Sequence, residues 1–99
     1  MWITWWRMRD RIRRIMDYGC AYCVELGFNT PAQQFHHLHS DSKRRAGKDI
    51  GIGLCFLHHN SWRNDEMVIS RHPNGNKAEW ERRIGMTEWQ LYEKVLAAL

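Results

Sequence analysis

The chain predicts a small α+β domain: a zinc knuckle, a β-hairpin and a helix crossing it, flanked by helices at both termini. Three observations predict this. Two half-sites of metal-ligand spacing, Cys20-Ala-Tyr-Cys23 and Cys55-Phe-Leu-His58, bracket residues 24–54. Short apolar segments of strand character lie between them, around a basic loop. Amphipathic helical patterns occupy both ends.

The elements follow in order. Residues 2–17 read as a helix, because Trp5, Met8, Ile12 and Ile15 recur at helical intervals on one face. Arg7, Arg11 and Arg14 belong to the remaining basic surface, which reads as a solvated face, a phosphate-contacting one, or both. Gly19 suits the end of that helix. Cys20 to Cys23 reads as a tight turn, and residues 24–34, with Gly27, Asn29 and Pro31, as a loop. Gln34 to Leu38 is a strand. Residues 39–48 form an exposed loop carrying Lys43, Arg44, Arg45 and Lys48. Ile50, Ile52 and Leu54 alternate with Gly51 and Gly53, giving a second strand whose glycines allow close backbone approach. A helix then runs from Cys55 to Arg63, and residues 64–76 read as irregular. Lys77 to Ile84 is a helix, broken by Gly85. Thr87 starts the last helix with Gln90 in a T-x-x-Q capping pattern. Leu91, Val95 and Leu99, with Tyr92 and Leu96 beside them, form a packing stripe.

The 99 residues fit one domain spanning 1–99. Its parts are a basic amphipathic helix over 1–17, the zinc knuckle with its ββα core over 18–63, and a loop with helices over 64–99. A core this small is marginal, so a metal staple is useful. Apolar content of 43% with six Trp excludes a disordered chain. No apolar run approaches the roughly 18 residues of a membrane span. The Trp- and Arg-rich start reads as neither signal peptide nor anchor, so the expected compartment is the cytoplasm and no membrane partner is expected. A net charge of +4 suits a polyanionic partner without identifying one. The six Trp leave surface for a homodimer.

Three cysteines cannot all pair within one chain, and metal binding is the better reading in a reducing compartment. Cys20, Cys23, Cys55 and His58 supply the four ligands tetrahedral zinc takes. The other readings are plain buried cysteines, which a second matching half-site argues against, and a redox dithiol, which lacks the expected βαβ setting.

Three further histidines carry a second chemistry. His36 and His37 are adjacent in a strand, where neighbours point to opposite faces. One can bind a metal while the other approaches substrate only if the strand end twists or opens. His59 follows the zinc ligand His58, and one helical residue is a rotation of about 100°. His58 can then face zinc while His59 faces a separate pocket. A histidine-held metal with open positions can clamp a phosphate, and a neutral histidine can take a proton from water.

These residues carry a family resemblance. Cys20-x-x-Cys23, Phe35-His36-His37-Leu38 and Gly51-Ile52-Gly53-Leu54-Cys55-Phe56-Leu57-His58-His59 resemble the HNH (ββα-metal) nucleases. More narrowly, with Ile69-Ser70-Arg71-His72-Pro73, Trp80-Glu81-Arg82-Arg83-Ile84-Gly85 and Thr87-Glu88-Trp89-Gln90-Leu91, the chain resembles phage recombination-enhancement nucleases that act with RecA. The resemblance covers residues 18–95 and has a treble-clef-like core. It implies a metal-dependent endonuclease cutting DNA, with RecA-coated DNA as a candidate substrate. It implies His36, His59 and His72 as ligands of a catalytic magnesium, manganese or zinc ion, and His37 as general base. Many HNH enzymes place a ligand four residues after the equivalent of His59. Here that residue is Arg63, which cannot bind a metal: either His72 takes the position, as the narrower resemblance implies, or the site has only two protein ligands. Lys43, Arg44, Arg45 and Lys48 would contact backbone phosphates or remain a solvated loop. Asp41 and Asp49 read as exposed loop carboxylates, and His39 as a solvated histidine. The rivals are a non-catalytic zinc-stabilised nucleic-acid-binding module and a protein-interaction domain built on the Trp-rich helix.

Overall fold

The hairpin between the two half-sites is the centre around which the helices collect. The computed structural model describes residues 8–39 and 47–99. The expectations for residues 2–7, with Trp5 and Arg7, and for Asp41, Lys43, Arg44 and Arg45 lie outside the described residues. Strands β1 (Gln34–His37) and β2 (Gly51–Leu54) pair antiparallel, with Gln34 opposite Leu54 and His37 opposite Gly51. Strand alternation therefore puts Gln34 and His36 on one face and Phe35 and His37 on the other. Every residue of β2 is buried. A Cβ at Gly53 would come within 2.7 Å of Ala32 Cβ, so glycine is needed for this close packing.

Helix α1 (Met8–Asp17) buries Ile15 against the core. Gly19 follows it with φ of 100°, a conformation that suits glycine and ends the helix. The reading of Cys20 to Cys23 as a tight turn is corrected. Cys20 is the N-cap of helix α2 (Ala21–Glu25), its Sγ accepting from the Cys23 N–H at 3.4 Å.

The helix expected from Cys55 to Arg63 is also shorter. Helix α3 is one turn, Phe56–His59. The His58 carbonyl accepts from Arg71 N (2.9 Å) and Trp80 Nε1 (2.9 Å), and the His59 carbonyl from His72 N (3.0 Å). Those acceptors bond to the returning chain rather than extend the helix, and Trp62 adopts φ of 61°. The segment read as irregular over 64–76 turns back through a bridge between Asn64 and Ile69, with Ser70 N bonded to Arg63 O at 2.8 Å.

Helix α4 (Lys77–Ile84) ends at Gly85, φ 72°, as its sequence predicts. Helix α5 (Glu88–Ala98) opens on Thr87, whose side chain accepts from Gln90 N while Gln90 Oε1 accepts from Thr87 N. Leu91, Tyr92 and Val95 turn inward from α5 to join Ile15, Leu38, Ile52 and Leu54. Trp80 is wholly buried and ties the layers together. It stacks on Tyr22 at 4.3 Å, and its carbonyl accepts from the Tyr22 hydroxyl at 2.8 Å. No helix among the described residues is long and apolar enough to cross a membrane.

Candidate metal centres

Two ligand clusters meet at α3. In the first, the ligand atoms of Cys20, Cys23, Cys55 and His58 all lie within 4.8 Å of one another, and all four residues are buried. Helix α2 supplies the first pair from its cap and first turn, and α3 supplies the second pair in the same way. Cys23 Sγ stands 3.8 Å from Cys55 Sγ, and His58 Nδ1 is 3.3 Å from each sulfur. Thiolates at about 2.3 Å from a tetrahedral zinc stand about 3.8 Å apart, and a thiolate and an imidazole nitrogen about 3.5 Å apart. The donor set and its spacing fit a metal ion such as zinc.

Burial pushes the Cys20 thiol up to about 12 and also raises Cys23. Burial lowers His58. The metal-free cluster therefore holds protonated Cys20 and Cys23 and a neutral imidazole at pH 7, and a metal would displace the thiol protons. A reactive dithiol needs the opposite, a lowered thiol pKa.

The second cluster is His36, His59 and His72, whose ligand atoms also lie within 4.8 Å of one another. Ring centroids are 5.1 Å apart for His36 and His59, 4.9 Å for His59 and His72, and 5.8 Å for His36 and His72. His36 comes from β1 and His59 from the last residue of α3. His72 arrives through the backbone bond of its N–H to the His59 carbonyl. Consecutive residues of α3 thus enter different clusters.

Two of these rings are held from behind. His59 Nδ1 is hydrogen-bonded to Gln34 Oε1, and His36 Nε2 to Glu88 Oε2. Burial lowers His59 to about 4, with the charges of His36, His72 and Arg71 adding to the effect. Burial and the neighbouring His36 also lower His72. Both rings are neutral at pH 7, as metal ligands must be.

Glu88, which the sequence reading left without a role, stands behind His36. It is 6% exposed. Burial pushes its carboxyl upward, but hydrogen bonds from His36 and Arg71 outweigh that and hold it at about 2. Arg71 Nε donates to Oε2 at 2.8 Å and Nη2 to Oε1 at 3.3 Å, and Lys77 Nζ stands 3.9 Å from Oε1. The only local signal was its place after Thr87 in the capping pattern.

The remaining candidates lie elsewhere. His37 is half-buried, and its ring meets the edge of Phe35 at 5.0 Å on the face opposite His36. The ladder continues past it through Leu38 N to Ile50 O at 3.0 Å, so the strand does not open there. Lys48 and His39 are exposed. Arg63 pairs with Asp65 at 3.0 Å. Asp49 is paired with Arg11 at 2.9 Å, which joins α1 to the chain preceding β2. Comparison of the chain with protein-family models, curated proteins and solved structures finds no match.

Proposed function

We propose that the chain is an HNH-type (ββα-metal) endonuclease that hydrolyses DNA phosphodiester bonds with one divalent metal, on a fold stapled by structural zinc. One observation carries the reading. Beside a complete Cys3His cluster, the chain gathers three more histidines that a zinc staple does not need. Three imidazoles leave coordination positions for water and a phosphate oxygen.

His36, His59 and His72 would hold the ion. When bound, it supplies Lewis-acid stabilisation of the charge that develops on the phosphoryl oxygens. Imidazole donors suit zinc-class ions, whereas magnesium or manganese would draw most of its shell from water and substrate. The family resemblance implies His37 as general base, but its ring lies on the face of β1 opposite His36, so His37→Ala decides whether it takes part. Lys48, with Lys43, Arg44 and Arg45, contributes charge for backbone phosphates, which gives affinity without sequence preference. RecA-coated DNA is the substrate the narrower resemblance points to.

The test is plasmid nicking by the zinc-loaded protein with added magnesium, manganese or zinc, on bare and RecA-coated DNA. Cutting that disappears with EDTA and in His37→Ala supports the enzyme and its base. Undiminished cutting by His37→Ala removes His37 from the mechanism. No cutting on either substrate favours the non-catalytic nucleic-acid-binding module.

A further inference from the structure

An imidazole has two nitrogens, and a metal site works only if the correct one carries the lone pair. At His36 a buried carboxylate bears on that choice. Glu88 Oε2 contacts Nε2, and a proton held there for the carboxylate leaves the lone pair on Nδ1. At His59 the arrangement is reversed, because Gln34 Oε1 bonds to Nδ1 and leaves Nε2. Gln34 and His36 share one face of β1, so the same strand presents one ligand and the support of another.

Glu88 is itself held in place. Its backbone N–H donates to Glu81 Oε2 at 2.7 Å, and it opens α5 immediately after the Thr87 cap. Arg71 grips both carboxylate oxygens, so the group cannot rotate away from His36. Arg71 directly precedes His72, so the segment that delivers the third histidine also anchors the carboxylate supporting the first.

We propose that Glu88 is a positioning residue for the three-histidine metal site, fixing the ring and tautomer of His36, with Gln34 doing the same for His59. The proposal rests on the metal site of the preceding section and not on DNA cutting. A negative second partner also makes the imidazole a stronger donor, which offsets the absence of a carboxylate ligand among the three histidines.

The test is titration of the zinc-loaded full chain with Co2+, read from d–d absorption. Ions in the Cys3His site add thiolate charge-transfer bands, and ions at three histidines do not. Glu88→Asp and Glu88→Gln are expected to bind the second ion about 10- to 100-fold more weakly. Gln34→Leu is expected to show about a tenfold loss on the same ground. Glu88→Gln leaves Arg71 without its carboxylate, so Glu88→Gln/Arg71→Met, which removes the buried pair together, covers the case where the single variant unfolds. Imidazole 15N shifts give the independent readout. His36 is expected as the Nε2–H tautomer in the protein lacking the second ion, and as a tautomer mixture once Glu88 is replaced. Unchanged Co2+ affinity in folded variants overturns the proposal, as does a parent that binds no second ion. Failure to cut DNA with second-ion affinity still dependent on Glu88 leaves the proposal standing and removes the nuclease reading instead.

Discussion

If the Cys3His cluster holds zinc, as proposed, removing the ion is expected to unfold the chain. All four ligands are buried, with exposures of 0% for Cys20, 4% for Cys23, 4% for Cys55 and 7% for His58. The cluster joins α2 to the β2–α3 junction, and residues 24–54, including the whole hairpin, form the loop it closes. Small structural zinc sites contribute about 10–16 kcal/mol of apparent binding free energy at pH 7. Whole domains are stable by only about 5–15 kcal/mol, so losing the ion removes as much as the fold has. Even a third of that loss, about 4 kcal/mol, would lower the midpoint of a domain this size by roughly 16–32 °C. The assay is far-UV circular dichroism during thermal unfolding, before and after stripping with a strong chelator, with zinc added back. Loss of helical signal that zinc restores is expected. A stripped protein melting within a few degrees of the parent would refute the reasoning and make the cluster an ordinary buried group of thiols.

Further predictions follow from particular contacts. Trp80→Phe removes the Nε1–H donated to the His58 carbonyl, which still accepts from Arg71 N. The cost is therefore about 1–2 kcal/mol, read by chemical denaturation, and no change would mean that Trp80 does not brace α3. Thr87→Ala removes one arm of the capping box and is expected to cost about 1 kcal/mol. Because it loosens the turn carrying Glu88, it should also weaken Co2+ binding at the three histidines, and a change in stability alone would separate the cap from the site. For pH, His59 is held near 4, below its ordinary value, by burial and neighbouring charge. A lowered folded-state pKa contributes stability present above about 6.5 and lost as pH falls toward about 4. Urea midpoints of the zinc-loaded protein, without a second ion, should fall over that window, and His59→Gln should flatten the slope. Equal slopes for parent and variant would count against the lowered His59.

Much of the architecture was legible because local signals agreed with the tertiary ones. Gly19, Gly85 and the Thr87–Gln90 pair end or start helices where their conformational preferences place them. The alternation of Ile52 and Leu54 with glycine marked a strand, and the close approach at Gly53 uses the missing side chain. The two half-sites were visible because two-residue spacing is a local constraint. What sequence could not give depends on distant partners. The length of α3 is set by donors from Arg71, His72 and Trp80, none of which has a local signature near Cys55. Cys20 opens α2 because its sulfur caps it, a role that the zinc spacing alone does not predict. Glu88 meets His36 across 52 positions of sequence, and nothing near either residue announces the pair. His37 shows the converse: strand alternation, legible from the adjacent pair, turns its ring toward Phe35 on the face opposite His36.

The central claim is that adjacent histidines on α3 serve two metals with different tasks. The most direct measurement compares metal content, folding and plasmid nicking in His59→Ala and the parent. The account predicts that His59→Ala keeps its fold and one tightly held zinc, binds the second ion far more weakly and no longer cuts DNA. Cutting by His59→Ala at the parent's rate would contradict the account.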